Sequence, residues 1–196
     1  IATITERTGQ DSTKNQCVVI SMGAGSIDAI PSLLGGLDQD GPPIIIQPNV
    51  PPSCLDGFVR YLGKKSSRPV KVAQDGLSLH NGQVYCAFPS AGLALESVVE
   101  NTFSFRVSKG VSSPELQLSW FYQALASHGA NPLAIVLSGA SKEACSSMLA
   151  AAKNNIVIVE NPEMCPEAQA TSHVAQNFSQ SVVCTPGTIC ELMRTL

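Results

Sequence analysis

The sequence predicts an α/β fold: a doubly wound, mainly parallel sheet with flanking helices and an antiparallel β-hairpin insertion. Three observations carry that expectation. Short apolar runs alternate with longer amphipathic segments from Cys17 onward, the pattern of βαβ units whose strands are covered on both faces. The first apolar run, Val18 to Ile20, passes into Gly23, Ala24, Gly25 and Ser26, a glycine turn of the kind that joins a strand to a helix at the carboxyl edge of such sheets. Midway along the chain the hydrophobic period shortens between turn residues such as Asn81-Gly82, which marks hairpin strands.

Residues 1–16 are polar, without apolar periodicity, and read as a linker; 17–196 read as one domain. Within the domain, CVVIS is a buried strand and IDAIPSLLGGL a helix. PIIIQ, CLDGFVRYLG and PVKVA continue as strand, helix and strand. QVYCAF, GLALES and TFSFRVS are expected as antiparallel hairpin strands. SPELQLSWFYQALASHG is an amphipathic helix with Pro114 early and Gly129 as its stop. PLAIVLS, KEACSSMLAAAKN, NIVIVE, EAQATSHVAQNF, SVVC and GTICELMRTL then resume the strand–helix alternation. Pro31 lacks the N–H that a helix starting at Ile27 would need, so the first helix is expected to begin later, capped by Asp28.

Charged residues are 14% of the chain and the net charge is -3. That low charge is well under the ~25% usual for soluble domains, and its sign argues against nucleic acid as a partner. The basic clusters Lys64-Lys65 and Arg68–Lys71 read as a solvated face. No apolar run reaches the ~20 residues of a membrane helix, and the start lacks the features of a signal peptide. The seven cysteines are scattered with no C-x-x-C pair. A reduced, cytoplasmic chain with no metal, no cofactor and no membrane insertion is therefore the expectation.

In an open parallel sheet ligands bind beyond the carboxyl ends of the strands. Three loops therefore matter: SMGAGS, QPNVPPS and SGASKEA. Their order and spacing resemble the catalytic domain of the chemotaxis receptor-glutamate methylesterases, the CheB family, across nearly everything after the linker. That resemblance implies a Rossmann-like sheet. The family's I-G-A-S-T-G-G-x-E-A-L corresponds to ISMGAGSIDAI, from Ile20 to Ile30; its V-Q-H-M-P-P to QPNVPP, from Gln47 to Pro52; its L-T-G-M-G-x-D-G-A to LSGASKEAC, from Leu137 to Cys145.

Carried over residue by residue, the likeness breaks at the chemistry. The nucleophilic serine falls on Gly23, the histidine on Asn49 and the aspartate on Glu143. Ester hydrolysis by this route needs a hydroxyl, an imidazole and an orienting carboxylate. Glycine has no side chain, and an amide exchanges no proton near neutral pH. The expectation is a catalytically inactive methylesterase-like domain, a binding or regulatory module in chemotaxis or surface-motility signalling. The resemblance implies a chemoreceptor or other signalling protein as partner and a possible upstream receiver domain. Its groove would be formed by Met22, Ala24, Gly25, Ser26, Pro48, Ala140, Ser141 and His173.

Two other readings stand beside this one. A relocated site could use Ser26, His173 and Glu143 for active hydrolysis, or the emptied cleft could sense a small anion at a helix N-terminus. GAGSID is a weak nucleotide motif, because Asp28 stands where the third glycine belongs and would repel a pyrophosphate. Each residue also has a plainer explanation. Glu143 opens a helix, where the macrodipole favours a carboxylate, and Asn49 precedes Pro51-Pro52 in a turn.

Overall fold

The computed structural model describes residues 16–88, 92–99, 102–107, 117–128, 131–152 and 156–196. The expected linker, apart from Gln16, and the marks at Pro114 and Gly129 lie outside the described residues.

A seven-stranded parallel sheet forms the centre, in the order β3-β4-β2-β1-β7-β8-β9. Its strands are β1 (Gln16–Gly23), β2 (Ile44–Asn49), β3 (Val70–Val72), β4 (Val84–Cys86), β7 (Asn131–Val136), β8 (Val157–Glu160) and β9 (Ser181–Cys184). A separate antiparallel pair, β5 (Leu93–Val99) and β6 (Thr102–Val107), is the expected hairpin. QVYCAF departs from expectation: β4 joins the main sheet, parallel to both β2 and β3. Val84, Tyr85 and Cys86 are all fully buried, and so short an apolar run carries no period that separates an interior strand from a hairpin strand.

Side chains alternate across the sheet and fill two cores. Val19, Ile45, Tyr85, Val136 and Val159 face one layer. That layer holds the hairpin and the helices α3 (Gln117–Ser127), α4 (Lys142–Ala152) and α5 (Gln169–Asn177). Val18, Ile20, Ile44, Ile46 and Ile158 face the other, covered by α1 (Ile30–Leu34), α2 (Leu55–Lys65) and α6 (Pro186–Arg194). Each such side chain contributes about 1.5–3 kcal/mol when fully buried. Among the described residues, no helix is long and apolar enough to cross a membrane.

The first helix does begin late. Ala24–Ala29 forms a 3-10 turn and α1 follows, with Pro31 in its first turn. The expected cap at Asp28 is not what the structure has: Ala29 is the N-cap and no side chain caps it. Asp28 lies inside the 3-10 turn, exposed to solvent. The α-helix starts one residue before Pro31, where the missing N–H costs no helical bond.

Gly57 and Gly63 lie on exposed positions of α2, and a Cβ added to either would meet nothing within 4 Å. Each weakens the helix by about 1 kcal/mol relative to alanine, with no packing reason among the described residues. Arg68, expected on a solvated face, is buried. It donates to the carbonyls of Asp38 and Pro42, with 2.8 Å to the latter. Burial draws its guanidinium below the ordinary arginine value, with Asp38 and Asp40 acting in the opposite sense.

Candidate functional site

Consecutive strands run outward from β1 in both directions, toward β2 on one side and β7 on the other. The crevice beyond such a switch point is the place where an open sheet holds a ligand. Here it is bounded by Gly23 at the end of β1, Asn49 at the end of β2 and the segment 137–141 after β7. Gly23 and Asn49 are register partners on neighbouring strands.

The backbone of Ser138 and Gly139 packs directly against Gly23 at the floor of the crevice. Gly23 N–H donates to the Ser138 carbonyl at 3.1 Å. A Cβ placed on Gly23 would overlap the Gly139 carbonyl oxygen, and would lie 2.5 Å from its carbon and 2.9 Å from its Cα. The backbone of Gly23 is extended, at φ -144, which any residue adopts. Contact, not conformation, is what demands glycine there. Gly139 is constrained in both ways. Its φ of 77 is left-handed, and a Cβ on it would stand 2.9 Å from Gly25 N and 3.0 Å from Ala24 N. Gly25 completes the interlock, since a Cβ there would press into the Ser138 hydroxyl.

A dense set of hydrogen bonds holds the segment in place. Asn49 Nδ2 donates to the Gly139 carbonyl at 3.0 Å. Gly139 N donates to the Glu167 carbonyl at 3.0 Å, and Glu167 N donates to Ser138 Oγ at 3.0 Å. Ser138 N donates to Glu160 Oε2 at 2.8 Å. Glu160 is only 4% exposed, so this bond between a carboxylate and a backbone N–H is of the stronger kind. Ser138, Gly139 and Glu160 did not figure among the expected site residues. A carboxylate closing the apolar strand NIVIVE was the available signal for Glu160.

Ser26 is 2% exposed and its hydroxyl is committed to backbone, 3.0 Å from the Gly23 carbonyl and 2.9 Å from the Ser138 carbonyl. His173 lies on α5 and contacts Ser146 on α4, with Nε2 2.9 Å from Oγ. Ser146 Oγ also donates to the Lys142 carbonyl at 2.8 Å. The other ring nitrogen, Nδ1, faces Asn177 Nδ2 at 3.3 Å. Glu143 is exposed in the first turn of α4 and accepts from Ser141 Oγ at 3.3 Å. Ser141 Oγ also accepts from Ala144 N at 3.2 Å, which makes it the helix cap. None of these bonds joins Ser26, His173 and Glu143 to one another.

The remaining expected groove residues divide. Ala24 is exposed, and Gly25 and Ser141 are half-buried. Pro48 and Ala140 are buried. Met22 is fully buried in the core of the opposite face, among Ile20, Ile30 and Ile46. Cys145, beneath the site, is buried as well, and burial pushes its thiol up to about 12. It stays protonated and unreactive near neutral pH.

The family model described as CheB methylesterase matches residues 18–193. A protein-glutamate methylesterase/protein-glutamine glutaminase of Burkholderia thailandensis is 27% identical over 70% of this chain and 40% of its own length. The protein of that name from Salmonella typhimurium is 25% identical over 76% of this chain and 43% of its own length. The chain thus spans less than half of those two relatives. Among solved structures, the Thermotoga maritima CheB methylesterase catalytic domain superposes with a TM-score of 0.73 at 20% identity, covering 93% of this chain and 99% of that one.

Proposed function

The chain belongs to the CheB methylesterase family, and from that premise we propose that it is a catalytically silent member, a binding or regulatory module in chemotaxis or surface-motility signalling. One observation carries the reading. Where the family motif places an attacking oxygen, this chain has Gly23, and the space its side chain would need holds the Gly139 carbonyl. Asn49, at the position of the proton acceptor, offers an amide that donates to the same carbonyl and cannot take a proton from a nucleophile. Loss of such a triad costs a rate factor on the order of 10⁶.

The partner of this reading is a chemoreceptor or another signalling protein of that system, engaged without hydrolysis, and a receiver domain upstream would fit it. Ser26 supports the silent reading too: a buried hydroxyl shared between two carbonyls has no base to give its proton to. The test is methanol release from methylated receptor incubated with the purified chain. Release at the buffer blank, with receptor retained on the immobilised chain, is the expected result. Methanol release that disappears in Glu143→Ala would overturn the proposal.

A further inference from the structure

The two ends of the main sheet are finished differently. At one, β3 is three residues long and sets the exposed Lys71 on the edge. A charged side chain on a short edge strand deters further pairing. At the other, β9 reads Ser181-Val182-Val183-Cys184, with no charge, no proline and an unbroken register on β8. Val183 is 48% exposed. Met164, 53% exposed, lies in the 3-10 turn after β8, whose cap residue Asn161 donates its N–H to the Cys184 carbonyl.

The ladder shows which backbone groups of β9 are open. Val157 N donates to the Gln180 carbonyl and Asn161 N to the Cys184 carbonyl. Successive residues of a strand turn their backbone groups to opposite edges, so Gln180, Val182 and Cys184 face β8 while Ser181 and Val183 face outward. Ser181 N is taken by the Phe178 carbonyl. The Ser181 carbonyl and both backbone groups of Val183 are left without a partner among the described residues. An uncharged edge with open groups is a template for one more strand.

The chain itself carries a segment that fits. Of the stretches beyond the described residues, 1–15 is the longest. The next, 108–116, is tied at both ends, to β6 and α3, and contains Gly110 and Pro114. The stretch IATIT, residues 1–5, holds four β-branched side chains and no charge, a composition suited to a strand. Reach agrees with composition. Gln16 opens β1, three strands from β9, or about 14 Å at the usual spacing. Residues 7–15 extend up to about 30 Å. A strand antiparallel to β9 ends at the level where β1 starts and leaves that connection slack, whereas a parallel one ends at the opposite edge of the sheet and stretches it. The β3 edge is as near, but Lys71 stands on it.

From the open edge and the reach together we infer that residues 1–5 pair antiparallel with β9 as an eighth strand, exchanging N–H···O bonds with Val183 and flanking its side chain. An antiparallel edge strand on an otherwise parallel sheet is a common finish. The pairing puts residue 1 at the carboxyl edge of the sheet, the edge that carries the crevice, and it holds whether or not the crevice is silent.

The test is amide exchange followed by NMR on the whole isotope-labelled chain. The expected result is a Val183 amide exchanging at least tenfold more slowly than in an unstructured peptide of the same sequence, with proton contacts between residues 1–5 and 181–184. Neighbouring residues turn their N–H groups to opposite edges, so Thr3→Pro with Ile4→Pro removes a donor to β9 in either register. That variant should return Val183 to the peptide rate while Val19 and Ile135, in the sheet centre, stay protected.

A Val183 amide at the peptide rate in the unaltered chain overturns the inference. Absence of contacts between 1–5 and 181–184 overturns it whatever the variant does, and so does protection that survives the two prolines. Protection that falls on tenfold dilution, with a dimer in sedimentation, would make the occupant a second copy of the chain and overturn it equally.

Discussion

Two groups of glycines occupy opposite situations in this protein. At the crevice, Gly23, Gly25 and Gly139 are packed backbone against backbone, and each missing side chain is replaced by atoms of a neighbouring loop. On α2, Gly57 and Gly63 are packed against nothing. The first group is required by the fold and the second weakens it. A glycine count could not separate them, because what differs is the space each residue faces. The contrast is one of contact: at Gly23 the place of a side chain is taken by the Gly139 carbonyl, whereas at Gly57 and Gly63 it is open.

The largest expected effect comes from placing a serine at Gly23. Gly23→Ser forces its Cβ into the Gly139 carbonyl and should destabilise the chain by about 3 kcal/mol, read as a lowered urea midpoint. It should not produce an esterase. A variant of unchanged stability would show that the loop yields easily and would break the comparison at its strongest point. Gly139→Ala combines a left-handed φ with contacts at and below 3.0 Å, for about 2 kcal/mol.

Glu160→Ala strips the buried Ser138 N–H of its acceptor and should cost about 2 kcal/mol. Glu160→Gln, which keeps an acceptor oxygen, should cost less. Equal losses would mean that packing, not the hydrogen bond, holds the loop. On the other side of the comparison the sign reverses. Gly57→Ala and Gly63→Ala should each stabilise by up to about 1 kcal/mol, and a loss at either would show a contact that the open space does not suggest. Smallest is Asn49→Ala: it removes one hydrogen bond to the Gly139 carbonyl from an exposed residue, for about 1 kcal/mol or less.

Much of the fold was legible because the strands are apolar on both faces and the helices are not. The runs around Val19, Ile45, Ile135 and Ile158 fixed the parallel sheet, and the dipeptide Asn81-Gly82 marked a turn in which Gly82 has a φ of 71. Strand β4 was misplaced because its three residues are too few to show a period. At the crevice the motifs located Gly23 and Asn49 but not what surrounds them. That Gly139 would fill the place of a side chain is a fact of three dimensions: residues 23 and 139 meet because β1 and β7 are neighbours, and no local pattern states how closely their loops approach. Asp28 failed as a cap for a local reason, since a 3-10 turn carries the chain past it before the α-helix starts.

The proposed silence requires that no activated serine stand in the crevice. Intact mass measurement after incubation with a fluorophosphonate probe tests this directly. An unmodified chain is expected under conditions that fully label a serine hydrolase run alongside. A stoichiometric adduct on Ser26, absent in Ser26→Ala, would contradict it.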